Sequence, residues 1–176
     1  MAPRYSLAKR RAAELLRRAR VRKAPIPVER LAALLKAEIV LQPFSGEVSG
    51  IVHRNKDGSA VIGVNSSDAP QRQRFTIAHE LGHLLLHAVE DLHVDKNFPI
   101  GLRNGISGKA VDESEIEANQ FAAALLMPSD LLGKDVQRLT GTDVLIAIQK
   151  LARKYRVSEQ AMSIRLSTLG HVKLGT

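Results

Sequence analysis

Four side chains able to bind a metal or move a proton stand within nine residues, His79, Glu80, His83 and His87. At about 100° per residue on a helix, His83 lies about 40° around from His79 and one turn further along. Their imidazoles therefore converge on one ion, while Glu80, at about 100°, flanks the pair and can reach a water there without being a ligand. His87, at about 80° and a turn beyond His83, shares this face. It can orient a substrate, stabilise an oxyanion or make a structural polar contact. The opposite arc carries Ile77, Ala78, Leu81, Leu84, Leu85 and Ala88, so the helix is anchored by an apolar side and turns its polar side into a cleft. Burying two imidazoles and a carboxylate costs too much without a common partner, which favours a metal site.

A catalytic zinc takes three protein ligands and keeps one position open. The chain has no Cys, so any ligand set is built from His and carboxylates. The metzincin continuation needs Gly at 86 and His at 89; the chain has Leu86 and Val89, which excludes it. A carboxylate from a second helix remains, and the run from Asp112 to Pro128 supplies candidates. Helical phase groups Glu115 with Ala118, Asn119, Ala122 and Leu126, a stripe of small residues that can approach the first helix at Gly82. Glu115 is the expected ligand. Glu117 is its rival, although its phase aims it about 200° away, toward solvent or the far side. His93 is a more distant candidate. Asn119, one turn beyond Glu115, is placed to hydrogen-bond a ligand histidine.

The run RFTIAHELGHLLLH (74–87) followed by E-I-E-A-N-Q-F-A-A-A-L-L-M-P (115–128) resembles the ImmA/IrrE family of metallopeptidases. The resemblance covers about residues 25–170, including the strand ending in Val64-Asn65. It implies a zincin-like fold, His79, His83 and Glu115 as zinc ligands, and Glu80 as general base and acid. It also implies a site-specific endopeptidase that cuts a partner transcriptional repressor and releases stress-response, mobile-element or phage genes. One zinc ion per chain is expected, with another divalent metal as the variant. Strand 60–65, if it lies at the cleft edge, can take an extended substrate by strand addition along Val64 and Asn65.

Positioning these groups requires an α+β domain. Helical periodicity predicts helices over 6–20, 28–37, 71–88, 111–127, 143–155 and 158–169. Val- and Ile-rich segments at 38–41, 48–53 and 60–65, the last two flanking Asn55-Lys56-Asp57-Gly58, predict a small antiparallel sheet with one tight hairpin. The connection 89–109 is long for a small domain, which marks it as functional. The organisation read is a basic helical arm (1–24), a zincin-like metallopeptidase domain (25–130) and a C-terminal helical segment (131–176).

Net charge is +8, concentrated in Lys9, Arg10, Arg11, Arg17, Arg18, Arg20, Arg22 and Lys23. No aromatic residues interleave these cations, so they read as a solvated helix face, and DNA binding is expected to be weak. Residues 151–166 have the spacing of a helix-turn-helix, for which packing or partner docking is the favoured role. A metal-containing regulator or DNA-binding module whose function is not proteolysis is the competing class, although metal binding alone does not require Glu80. No signal-peptide core and no stretch of about 20 apolar residues is present, which predicts a cytoplasmic protein that does not enter the membrane.

Overall fold

A computed structural model describes residues 3–45, 48–87, 92–96 and 113–172. The described elements run α1 (Tyr5–Arg18), α2 (Val28–Leu34), β1 (Ala37–Gln42), β2 (Val48–Arg54), β3 (Ala60–Asn65), α3 (Pro70–Leu86), β4 (Leu92–Lys96), α4 (Glu113–Leu126), α5 (Ser129–Gln137), α6 (Val144–Tyr155) and α7 (Glu159–Thr168).

The strands form one four-stranded sheet in the order β1-β3-β2-β4. β2 and β3 are an antiparallel hairpin, as the Asn55–Gly58 turn predicts. Asn55 N–H donates to the Ser59 carbonyl at 2.8 Å, Gly58 N–H donates to the Asn55 carbonyl at 3.0 Å, and Gly58 takes the positive φ of +82° that this turn needs. The sheet is mixed rather than antiparallel, because β1 pairs with β3 in parallel, Ala37 opposite Ala60 through Gln42 opposite Asn65. Parallel neighbours need a long connection. Here β2 and its turn serve as that connection, so β3 slots between β1 and β2. Alternation of apolar residues reports which face a side chain takes but not the direction of the neighbouring strand, which is why the sequence pattern missed this pairing.

Two further elements escaped the periodicity reading. β4 lies within the expected connection 89–109 and pairs antiparallel with β2, with an irregularity between Val48 and Gly50; the rest of that connection is outside the described residues. α5 is a nine-residue helix anchored by the fully buried Leu132.

One sheet face carries Val52, Ile62 and Val64 against α3, and α3 in turn packs along α4. Gly82 makes this helix pair close: a Cβ there would stand 3.1 Å from Ala118 Cα and 3.3 Å from its carbonyl oxygen. α4 is the central helix, since α1 covers its other flank with Ala8, Ala12, Leu15 and Leu16, spaced for one helical stripe. Lys9, Arg10, Arg11, Arg17 and Arg18 occupy the exposed side of α1. α6 and α7 are joined through Arg156–Ser158, with Ser158 Oγ accepting from Ala161 N–H at 3.1 Å as an N-cap. None of the described helices is long and apolar enough to cross a membrane.

Candidate metal centre

α3 presents His79 and His83 on one side and α4 presents Glu115 opposite them; all three are buried. Their donor atoms lie within 4.8 Å of one another. His79 Nε2 is 2.9 Å from His83 Nε2, and the Glu115 carboxylate reaches them at 3.2 and 3.3 Å through Oε2 and Oε1.

The remaining ring nitrogens are all hydrogen-bonded, and for neutral imidazoles their partners select the tautomers. Asn119 Oδ1 lies 3.0 Å from His79 Nδ1, so that nitrogen carries the proton and donates. His87 Nε2 lies 3.1 Å from Glu117 Oε2, an acceptor only, so His87 Nε2–H donates and its Nδ1 is bare. His83 Nδ1, 3.1 Å from that bare nitrogen, must then be the donor. In these neutral tautomers both Nε2 atoms present lone pairs, facing each other and a carboxylate. Such a triad repels itself unless a cation sits among the three. Four-coordinate ligands at about 2.0–2.2 Å from zinc stand about 3.3–3.6 Å apart, which the two carboxylate spacings of 3.2 and 3.3 Å approach and the 2.9 Å between the nitrogens falls short of. The residues fit a divalent metal.

Glu80 is fully buried beside the pair, and a glycine makes room for it. A Cβ at residue 50 on β2 would fall 2.8 Å from Glu80 Oε1 and against the Thr76 methyl. Gly50 thus belongs to the site although nothing in the metal motif points to it; a glycine inside a strand, beside Ile51 and Val52, was the available signal.

The other expected residues fall in three places. Asn119 and His87 contact the two histidines directly, and both nitrogens of His87 are engaged. Val64 and Asn65 do not lie on a free edge: β3 is hydrogen-bonded on both sides, so strand addition there is ruled out, and among the described residues the outer strands are β1 and β4. Val64 is core, and Asn65 braces the neighbouring loops, donating to the Val48 carbonyl at 3.0 Å and accepting from Ser67 N–H at 3.0 Å. The side chain of His93 is outside the described residues. Glu117 points away from the histidine pair, as its phase requires, but not into solvent: it is 3% exposed. The far side of α4 is occupied by the chain preceding α1 and by the end of α3, so Glu117 meets Arg4 and His87 there. Its hydrogen bonds from Arg4 outweigh burial and hold its pKa down at about 2, with the Arg4 backbone N–H and His87 assisting.

A histidine pair and Glu80 on one helix, backed by a mixed sheet and faced by a carboxylate from a second helix, form a zincin-like α+β arrangement. Residues 35–167 match the IrrE N-terminal-like domain of the M78 peptidases, and the chain belongs to that family. Over 99 residues it is 35% identical to the radiation response metalloprotease IrrE of Deinococcus radiodurans and 39% identical to that of Deinococcus deserti. Each match covers 56% of this chain but only 28% and 32% of those relatives, so the shared region is under a third of their length. Among solved structures, a Mycobacterium tuberculosis transcriptional regulator superposes with a TM-score of 0.56 over 91% of this chain and 46% of that one; at 16% identity the likeness is one of fold.

Proposed function

We propose that this chain is a zinc-dependent endopeptidase of the cytoplasm that cuts a partner transcriptional repressor at a specific site. The observation that carries the reading is the convergence of the two histidine Nε2 atoms and the Glu115 carboxylate, with the buried Glu80 alongside. His79, His83 and Glu115 would hold the ion, which when bound supplies Lewis acidity to a water and to the scissile carbonyl. Glu80 removes a proton from the attacking water as its oxygen adds to the carbonyl carbon, then delivers that proton to the departing amine nitrogen as the C–N bond breaks. Asn119 and His87, hydrogen-bonded to the two Nδ1 atoms, favour the tautomers that turn both Nε2 lone pairs toward the ion.

The choice of a repressor as substrate rests on the family resemblance. Against direct reading of DNA by the C-terminal helices stands the composition of α7: Arg165, its only cation, is turned inward, donating through Nε to the Met127 carbonyl at 3.0 Å.

The test is incubation of zinc-loaded protein with candidate repressors from the same genome, followed by mass analysis of fragments. One repressor is expected to yield two discrete fragments. Glu80→Gln, nearly isosteric but unable to accept the proton, is expected to lower the rate by about 10²- to 10⁴-fold with zinc still bound. Intact repressors throughout, or cleavage by Glu80→Gln at the wild-type rate, would reject the reading.

A further inference from the structure

Glu117 takes no part in the hydrolysis just described, yet it is a buried carboxylate with an elaborate set of partners. An ionised carboxylate removed from water is stable only when matched by charge and hydrogen bonds. Arg4 supplies both. Its guanidinium donates through Nε to Oε1 at 3.0 Å and through Nη2 to Oε2 at 2.9 Å, a two-pronged grip, and its backbone N–H donates to Oε1 at 2.6 Å. The same Nη2 lies 3.3 Å from the Leu86 carbonyl in the last turn of α3. Glu117 Oε2 in turn accepts from His87 Nε2–H at 3.1 Å, and His87 Nδ1 stands 3.1 Å from His83 Nδ1, where a neutral His87 accepts from His83 Nδ1–H. The four residues form a directed chain of donors, from His83 through His87 to an anion locked by Arg4.

We propose that Glu117, clamped by Arg4, is a positioning residue for the metal centre, acting through His87 to hold the ring orientation and tautomer of His83. This rests on the reading of His79, His83 and Glu115 as a metal site. The fixed anion takes the Nε2–H of a neutral His87, whose Nδ1 then accepts from His83 Nδ1–H, the tautomer that turns the His83 Nε2 lone pair toward the ion. Partners of this outer kind raise ligand basicity and restrict ring rotation. His79 has its own support in Asn119, so the two histidines are braced independently, from α4 alone for His79 and from the N-terminal segment and α4 together for His83. The chain preceding α1, 113 residues from Glu117, thereby becomes part of the metal site.

The test uses the full chain, with zinc affinity measured by competition against a chromophoric chelator and ligand geometry read from the visible bands of the cobalt(II)-loaded protein. Glu117→Gln is expected to weaken zinc binding about 10- to 100-fold and to shift the cobalt bands. Arg4→Ala should change both in the same direction but less, with Arg4→Lys recovering part of the loss. In a His87→Ala background, Glu117→Gln should cost nothing further. The proposal is overturned if Glu117→Gln binds zinc within about twofold of wild type with unchanged cobalt bands, since outer-shell losses are larger. It is equally overturned if the loss persists undiminished without His87. Wild-type protein that binds no zinc would remove the metal reading itself and this proposal with it. Should Glu117→Gln not fold, Arg4→Ala, whose side chain is 48% exposed, carries the same comparison.

Discussion

Glu115 and Glu117 are separated by one residue and end on opposite sides of α4, one against the histidine pair and the other against Arg4. The helical repeat alone separates them. Because Glu115 faces both Nε2 atoms, Glu115→Ala is expected to reduce zinc affinity by more than the roughly 10- to 100-fold typical of residues that only support a ligand. Asn119→Ala, which removes the acceptor for His79 Nδ1–H, should fall within that range. Isothermal titration of the two variants decides it: a Glu115→Ala protein that keeps wild-type affinity would show that the carboxylate is not a ligand. What phase could not convey is what occupies the far side of a helix. Of the two destinations left open for Glu117, solvent and the far side, it takes the second, because Arg4 of the chain preceding α1 and His87 at the end of α3 cover it there.

Between elements, the site depends on close approach at two glycines. Gly82 lets α3 meet Ala118 of α4, and Gly50 lets β2 meet α3 beside Glu80. Gly50→Ala would force apart the Thr76 methyl and the Glu80 carboxylate. The expected result is a large loss of peptidase turnover with zinc affinity close to wild type, measured on the same preparation, because the crowding falls on Glu80 and not on the ligands; unimpaired turnover would show that the carboxylate has room to spare. The sequence made much of this legible. His79, Glu80, His83, Gly82 and the alanine stripe around Ala118 all follow from one helical period, and the hairpin follows from Asn55–Gly58. Other parts depend on partners distant along the chain. The parallel β1–β3 pairing is decided by where β2 turns back, and β4 is a five-residue strand inside a connection that lacks a clear alternating pattern. α5 is short, contains Gly133 and has only Leu132 and Asp135 buried, too little periodicity to announce a helix.

For the molecule as a whole, a buried carboxylate away from the metal site ties α5 to α6. Asp135 accepts from Tyr155 Oη at 2.8 Å, Lys154 Nζ at 2.6 Å and Arg138 Nη1 at 3.1 Å. Burial alone would raise its pKa, but hydrogen bonds from Lys154 and Tyr155 and the nearby cationic charges more than offset this, and the net shift is downward. A carboxylate depressed in the folded state contributes stability that is complete above its unfolded pKa of about 3.9 and disappears as pH falls through the lower folded value. Asp135→Asn should therefore melt well below wild type at neutral pH, with the gap narrowing below about pH 4. Thermal melts across pH 7 to 3 check this; a gap that stays constant or widens in acid would contradict it.

The joining of His79 and His83 from α3 to Glu115 from α4 also has a consequence in mass action. An ion held between two helices binds the folded chain and finds no preformed site in the unfolded one, so it acts as a reversible cross-link through the middle of the core. Free zinc at 100 times its dissociation constant would add about 2.7 kcal/mol to the unfolding free energy. The melting temperature should then climb with free zinc in wild type, fall back on chelation and stay flat in Glu115→Ala, which makes thermal unfolding a gauge of metal supply even where no substrate has been found.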